Sequence, residues 1–297
     1  MSAAVATGRR AVVNRWASDF AHNAPPESFF VVSAVFHYLG PAFAVLLFAR
    51  VDVLGVAWLR IVAAAVIFAA WRRPWRAFAA LDRDGRRVLI AWGAVLALMN
   101  CVFYSAIDRL PLGTVAAIEF LPVIVLAALG MRTARNLGAL VMAVVGVYLL
   151  TDVVLAGEPL GVGFAALNAM LFALYIVLGA RVAERGAGAG IDALAASMLI
   201  AAVVVTPIGG LAVIPVLTDP IALAAGVGVG ISSSVIPYVS DQLALARMKR
   251  STYALMVALL PATATVIGIM ILAQFPSAIE VLGVALVVAG VAVHRER

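Results

Sequence analysis

The chain has 297 residues, 65% of them hydrophobic and 12% charged, with a mean hydropathy of +1.12 and a formal net charge of +6. So much apolar surface cannot be hidden in a water-soluble core, and basic residues spread between apolar runs make no clustered nucleic-acid footprint. Cys101 is the one cysteine beside three histidines, which excludes a disulfide framework and leaves no transition-metal ligand set.

Residues 1–28 carry no apolar signal core and are read as a cytoplasmic extension, not a cleaved targeting peptide. Ten apolar stretches follow, at 29–49, 53–71, 88–107, 111–131, 136–154, 161–180, 191–212, 221–242, 251–272 and 278–293. At about 1.5 Å per residue each is of the length needed for a hydrocarbon layer of about 30 Å. Backbone groups in lipid must be satisfied within their own segment, so each run is expected to be a helix. The longest gap, Arg72 to Arg87, holds six arginines with Asp82 and Asp84, and is read as a charged anchoring loop. Gly226 and Gly230 make a small-xxx-small face in the eighth stretch, suited to close helix packing.

Charge fixes the expected orientation. Eighteen of the 21 basic residues fall before the first stretch, after the last, or in every second gap between stretches. Arg50 and Arg109 lie in the alternate gaps, and Arg60 lies inside the second stretch. Short basic loops stay cytoplasmic, so ten helices with both termini in the cytoplasm are expected.

The halves also resemble each other. Aligning Pro122 with Pro261 pairs two proline-bearing helices, and each half closes on a similar motif, Ala143-Val144-Val145-Gly146-Val147 against Val287-Val288-Ala289-Gly290-Val291. Five helices per half is odd, so the halves enter the bilayer from opposite sides. The fold class expected is all-α integral membrane, with inverted five-helix repeats at 29–154 and 161–293. Such repeats suit a site near the midplane that faces each side in turn.

Ionisable groups inside membrane helices are costly and are functional candidates. Arg60 and Glu119 lie at similar depth from the outer ends of the second and fourth stretches, with Asn100 and Asn168 near the same level. Glu119 is read as a proton or substrate-amine site, and the alternative is a structural ion pair with Arg60. Arg60 either binds a substrate carboxylate or poises Glu119. Tyr38, Tyr104, Tyr175 and Tyr238 are candidates to stack on or hydrogen-bond a ligand. Asp241 lies near the cytoplasmic end of its stretch, where it is a site carboxylate or merely reaches interfacial water. His37 is read as a packed or interfacial residue, with a proton relay as the alternative. Pro122, Pro237 and Pro261 are candidate kinks or hinges. No phosphate-binding P-loop, zinc-hydrolase or serine-hydrolase signature occurs, so neither a catalytic residue nor a cofactor is expected.

Several fragments, in order, resemble the EamA-type drug/metabolite transporter superfamily over roughly residues 29–293, and within it the bacterial threonine/homoserine exporter group. They are Leu59-Arg60, Arg73-Pro74-Trp75-Arg76, Met99-Asn100 with Phe103-Tyr104, Pro111-Leu112-Gly113, Glu119-Phe120, Ala173 with Tyr175-Ile176, and Pro237-Tyr238 with Asp241. The chain departs from that group where Pro122 follows Glu119-Phe120-Leu121 with no glycine before it. It also carries Leu260 at a position of a second glutamate, Val45 at that of a lysine, and Met131-Arg132 and Ala273-Gln274 where a Gly-Glu pair is common.

The resemblance implies an inner-membrane secondary transporter that exports small metabolites, amino acids of the threonine/homoserine kind, by proton-coupled alternating access. Its expected partners are a zwitterionic amino acid, protons and the lipid bilayer. An importer or exchanger of other metabolites is the alternative within the class. An integral-membrane enzyme using Glu119 and Asp241, or a structural or regulatory membrane protein, are the alternatives outside it.

Overall fold

The computed structural model describes residues 25–130, 133–155, 158–184, 190–245, 247–248, 256–257 and 259–293. Among these all regular structure is helical. In chain order the helices are α1 (Pro26–Leu47), α2 (Val53–Arg72), α3 (Pro74–Ala80), α4 (Arg83–Ile107), α5 (Leu112–Gly130), α6 (Ala134–Leu155) and α7 (Pro159–Glu184). They continue with α8 (Gly190–Val213), α9 (Pro220–Gly230), α10 (Ile236–Leu245), α11 (Leu260–Leu272) and α12 (Ala278–Val293). Six described helical spans are long and apolar enough to cross a membrane, and four shorter apolar helices fall in the fourth, fifth, ninth and tenth expected stretches.

Local chemistry sets the boundaries. The Asp52 carboxylate accepts from Leu54 N at 2.9 Å, and Asp82 from Gly85 N at 2.7 Å, satisfying free amides at the starts of α2 and α4. At α12, Glu280 N donates to Ser277 Oγ at 3.3 Å while Ser277 N donates to Glu280 Oε2 at 2.7 Å, a reciprocal capping box. Proline opens α1, α3, α7 and α9, where its missing N–H has no helical partner to lose.

Three details depart from the sequence reading. The anchoring loop contains α3, separated from α2 by Arg73 at a left-handed φ of 51° and closed by Arg86, which donates to the Phe78 and Ala79 carbonyls. The eighth stretch is interrupted by a π-helical turn, Ile231–Val235, between α9 and α10. Pro261 lies in the first turn of α11, which a turn at Leu259 separates from the helical residues 256–257. The extension up to residue 24, the start of the ninth stretch, and Arg132, Arg185, Lys249, Arg250, Arg295 and Arg297 lie outside the described residues.

Contacts between helix ends follow the alternation that the charges imply. At one end of the bundle Arg72 Nε bonds Asp192 Oδ1 at 2.6 Å, joining the end of α2 to the start of α8. Arg135 Nε donates to the Val293 carbonyl at 2.7 Å, and Arg247 lies over the Phe29 ring at 5.4 Å. At the other end Arg50 Nη1 meets Asp219 Oδ2 at 3.4 Å, Arg109 Nη1 meets Asp108 Oδ2 at 2.8 Å, and Leu112 N donates to Gln274 Oε1 at 3.0 Å. Arg50 and Arg109, the two exceptions to the charge partition, are thus each neutralised by a carboxylate.

Helix pairing has a regular plan. The helix α2 packs on α8, α5 on α11, and α6 on α12. The helix α4 packs on α7 and α8, as the α9–α10 rod packs on α1 and α2; α5 packs on α7, as α11 packs on α1. Close approach rests on small residues: a Cβ on Gly230 would fall 2.8 Å from the Arg60 carbonyl oxygen, and one on Gly226 within 2.6 Å of the Leu59 side chain.

Candidate functional site

A cavity of about 430 Å³ lies inside this bundle. Arg60 and Glu119, each seven residues into α2 and α5, line its deep end. Phe30 and Leu194, four residues into α1 and α8, and Asp241, four before the end of α10, line the other. The cavity therefore runs from mid-bundle towards the end that carries Arg72, Arg135 and Arg247.

The two buried charges do not bond each other. Glu119, 6% exposed, accepts through Oε1 from Asn168 Nδ2 at 3.0 Å. Arg60, 5% exposed, donates from Nε to Ser234 Oγ and from Nη2 to the Ser233 carbonyl, both at 3.0 Å. Its guanidinium carbon also sits 5.4 Å from the centre of the Tyr104 ring, a cation–π contact that steadies the charge out of water. The π-helical turn explains the Ser233 bond, because widening a helix frees a carbonyl for an outside donor. Two of the five guanidinium N–H groups are used in these bonds.

Of the residues singled out from sequence, Arg60, Asn100, Glu119, Asn168, Tyr175, Tyr238 and Asp241 line this one cavity. Tyr38 and Tyr104 do not. Both are fully buried behind it, Tyr104 beneath Arg60 and Tyr38 edge-on to His37 with ring centres 5.2 Å apart. Asn100 turns its amide back on its own helix, donating to the Leu96 carbonyl at 2.8 Å. The Tyr38 and Tyr104 hydroxyls, Asn168 Oδ1 and Ser233 Oγ have no protein hydrogen-bond partner although buried, so polar capacity remains beside the charged pair.

Of the aromatic walls, sequence singles out Tyr175 and Tyr238 but not Trp92, Phe120 or Phe172. Trp92 stacks on Tyr175 with ring centres 5.3 Å apart, and Phe120 meets Phe172 edge-on at 5.9 Å. His37, read from sequence as a packed or interfacial residue, also lines the cavity. A signal existed in helical spacing. Trp92, Asn100 and Phe103 recur on one face of α4, and Asn168, Phe172 and Tyr175 on one face of α7. Phe103, Phe172 and Tyr175 each lie three or four residues from another lining residue, and Trp92 lies eight before Asn100.

Among the described residues no group of three or more His, Cys, Asp or Glu is placed to hold a metal ion. The arrangement offers one buried cation and one buried carboxylate at the deep end, a second carboxylate at the mouth, and rings between them.

Comparison with known proteins gives the family. The sequence profile of the EamA-like transporter family matches residues 159–294. The threonine/homoserine exporters RhtA of Salmonella typhimurium (strain LT2) and Escherichia coli (strain K12) are each 31% identical over 257 residues, covering 84% of this chain and 84% of theirs. A protein solved by crystallography shares the fold, at a TM-score of 0.59 and 19% identity, over 90% of this chain and 97% of that one. With that likeness extending over most of its length, the chain belongs to the EamA-like transporter family.

Proposed function

We propose that the protein is an inner-membrane secondary transporter that exports small zwitterionic metabolites, amino acids above all, by proton-coupled alternating access. One observation carries this reading. Arg60 and Glu119 are buried in one cavity, opposite in charge, and bonded to neutral partners instead of to each other. A zwitterion presents a carboxylate and an ammonium group that match this pair, and both of its charges need partners once withdrawn from water. Arg60 holds the carboxylate; Glu119 alternates between the proton and the amine. A sugar phosphate or nucleotide sugar would bring two or more negative charges to a cavity whose lining, among the described residues, contains one arginine and no lysine.

Alternating access draws support from the helix plan. The α2–α8, α5–α11 and α6–α12 pairs map onto themselves, and α4–α7, α4–α8 and α5–α7 map onto the α9–α10 rod with α1, the rod with α2, and α11 with α1, when the first half is exchanged for the second, as inverted repeats at 29–154 and 161–293 require. The family profile, at 159–294, spans the second of these repeats. The cavity reaches the arginine-rich end, so the structure corresponds to an inward-facing state if that end is cytoplasmic. Membership of a transporter family favours transport over the membrane-enzyme reading of Glu119 and Asp241. The names of the relatives supply the direction, export, and a first substrate class.

Purified protein in liposomes, given a panel of amino acids under imposed pH gradients, tests this. Gradient-driven movement of amino acids is the expected result. Robust exchange of nucleotide sugars with no amino-acid transport would overturn it.

A further inference from the structure

Resting on the amino-acid reading, we infer that the cavity is built for an amino acid with a large aromatic side chain, in preference to the short hydroxylated ones in the relatives' names. Arg60, Glu119 and Asn168 gather at the deep end, where Glu119 and Asn168 bond each other and Arg60 keeps N–H groups to donate, while Asp241 lies at the mouth with the rings in between. On α7, Phe172 and Tyr175 follow Asn168 by four and seven residues, about 6 Å and 10 Å further along the axis. Phe120 and Trp92 complete this zone, each ring set against one of those two. Gly179 leaves room for the Trp92 ring against α7, since a Cβ there would sit 3.2 Å from the indole.

A threonine held by its ammonium and carboxylate groups has only one short branch beyond Cα, less than the rise of about 10 Å from Asn168 to Tyr175. It would leave much of the ring-lined part of the cavity uncovered. An aromatic side chain extends into that part and meets ring faces and edges in the offset and edge-on geometries that aromatic groups favour. Volume agrees: about 430 Å³ lies within the range of about 300–1,000 Å³ of pockets that enclose drug-sized ligands.

The test is competition in proteoliposomes of the full chain between phenylalanine and threonine. Phenylalanine should half-saturate transport at a concentration lower by about tenfold or more, the scale on which apolar pockets discriminate by filled volume. Phe172→Ala and Trp92→Ala should each reduce that preference about tenfold, and Phe172→Leu, which keeps bulk without the ring, should reduce it by less. Phenylalanine, and not threonine, should raise the melting temperature of the detergent-purified protein, a readout independent of transport. Equal or greater preference for threonine, or a preference that none of the variants moves, overturns this inference and leaves amino-acid transport standing. If a folded protein moves no amino acid at all, the functional reading itself fails and this inference fails with it.

Discussion

Gly146 of α6 and Gly290 of α12 occupy reciprocal positions where those helices cross. A Cβ on Gly146 would lie 2.6 Å from the Gly283 carbonyl oxygen and 2.9 Å from Val287 Cγ2. A Cβ on Gly290 would lie 2.7 Å from the Ala139 carbonyl oxygen and 3.2 Å from Ala143 Cβ. The same sequence offset of 144 relates residues 146 to 290, 139 to 283 and 143 to 287. Each half supplies a glycine for the backbone of the other, as a two-fold relation between the halves would have it.

Because backbone oxygens cannot move aside as a side chain can, Gly146→Val and Gly290→Val should both destabilise the protein. The expected loss is about 1–3 kcal/mol, the usual cost of overpacking. Thermal melting in detergent checks this, and the reciprocity predicts similar losses from the two substitutions. A large effect from one and none from the other would remove the crossing as support for a repeat.

Cysteine labelling should place the Arg72–Arg87 segment and the C-terminus in the cytoplasm and the Asp152–Glu158 segment outside. The motive is the alternating distribution of basic residues, together with the neutralisation of Arg50 by Asp219 and of Arg109 by Asp108. Labelling of the Arg72–Arg87 segment from outside would reverse the orientation and with it the inward-facing assignment.

Glu119→Gln keeps the shape of the side chain and an oxygen to accept from Asn168, while removing the group that takes a proton. Transport driven by an imposed pH gradient should be abolished in a protein that still folds and inserts. Unchanged transport with unchanged pH dependence would mean that coupling lies elsewhere. Arg60→Ala should act on stability as well, since it strips the Ser233 carbonyl of its donor; an unpaired buried polar group costs about 1–3 kcal/mol.

Asp219 offers a pH test outside the membrane-spanning segments. Its carboxyl is held below the ordinary value of an aspartate, first by the backbone N–H of Ala222, then by that of Ile221 and by Arg50. A group with a depressed native pKa contributes stability above the ordinary aspartate value of about 3.9 and loses it as pH falls through the lowered native value. Asp219→Asn keeps a capping oxygen and removes the charge. At pH 7 the wild-type protein should therefore melt higher than the variant, and the gap should close on acidification below about pH 4. A gap that stays constant with pH would assign the benefit to capping alone.

Much of the fold was legible because lipid leaves few options. An apolar run such as 53–71 must be a helix if it spans a bilayer, and α2 occupies Val53–Arg72. Charge did the same for the ends: Arg72 and Asp192, 120 residues apart, meet where alternation puts them. The site was legible where polarity is rare, so Arg60, Glu119 and Asn168 stood out against their apolar neighbours. Trp92, Phe120 and Phe172 did not, because an aromatic ring in a membrane helix costs nothing and looks the same whether it faces lipid or a ligand. Equal depth also suggested that Arg60 and Glu119 meet, but depth is one coordinate. The direction of each side chain around its helix was needed, and Ser233, Ser234 and Asn168 turned out to be the partners. The π-helical turn had no signature that polarity or spacing exposes.

That turn carries a counting consequence. A π turn accommodates one residue more than the α-helical rod around it, so every side chain after Val235 is rotated by about 100° from where an unbroken α-helix would aim it. Tyr238 and Asp241 face the cavity in this rotated frame, whereas Gly226 and Gly230, before it, face α2. Removing one residue between Ile231 and Val235 should therefore restore a regular α-helix and swing both polar side chains off the cavity wall. Such a deletion mutant would insert normally and lose transport, whereas Ser232→Ala within the same turn leaves the count intact and should keep it. In this rod, the number of residues decides which ones reach the cavity.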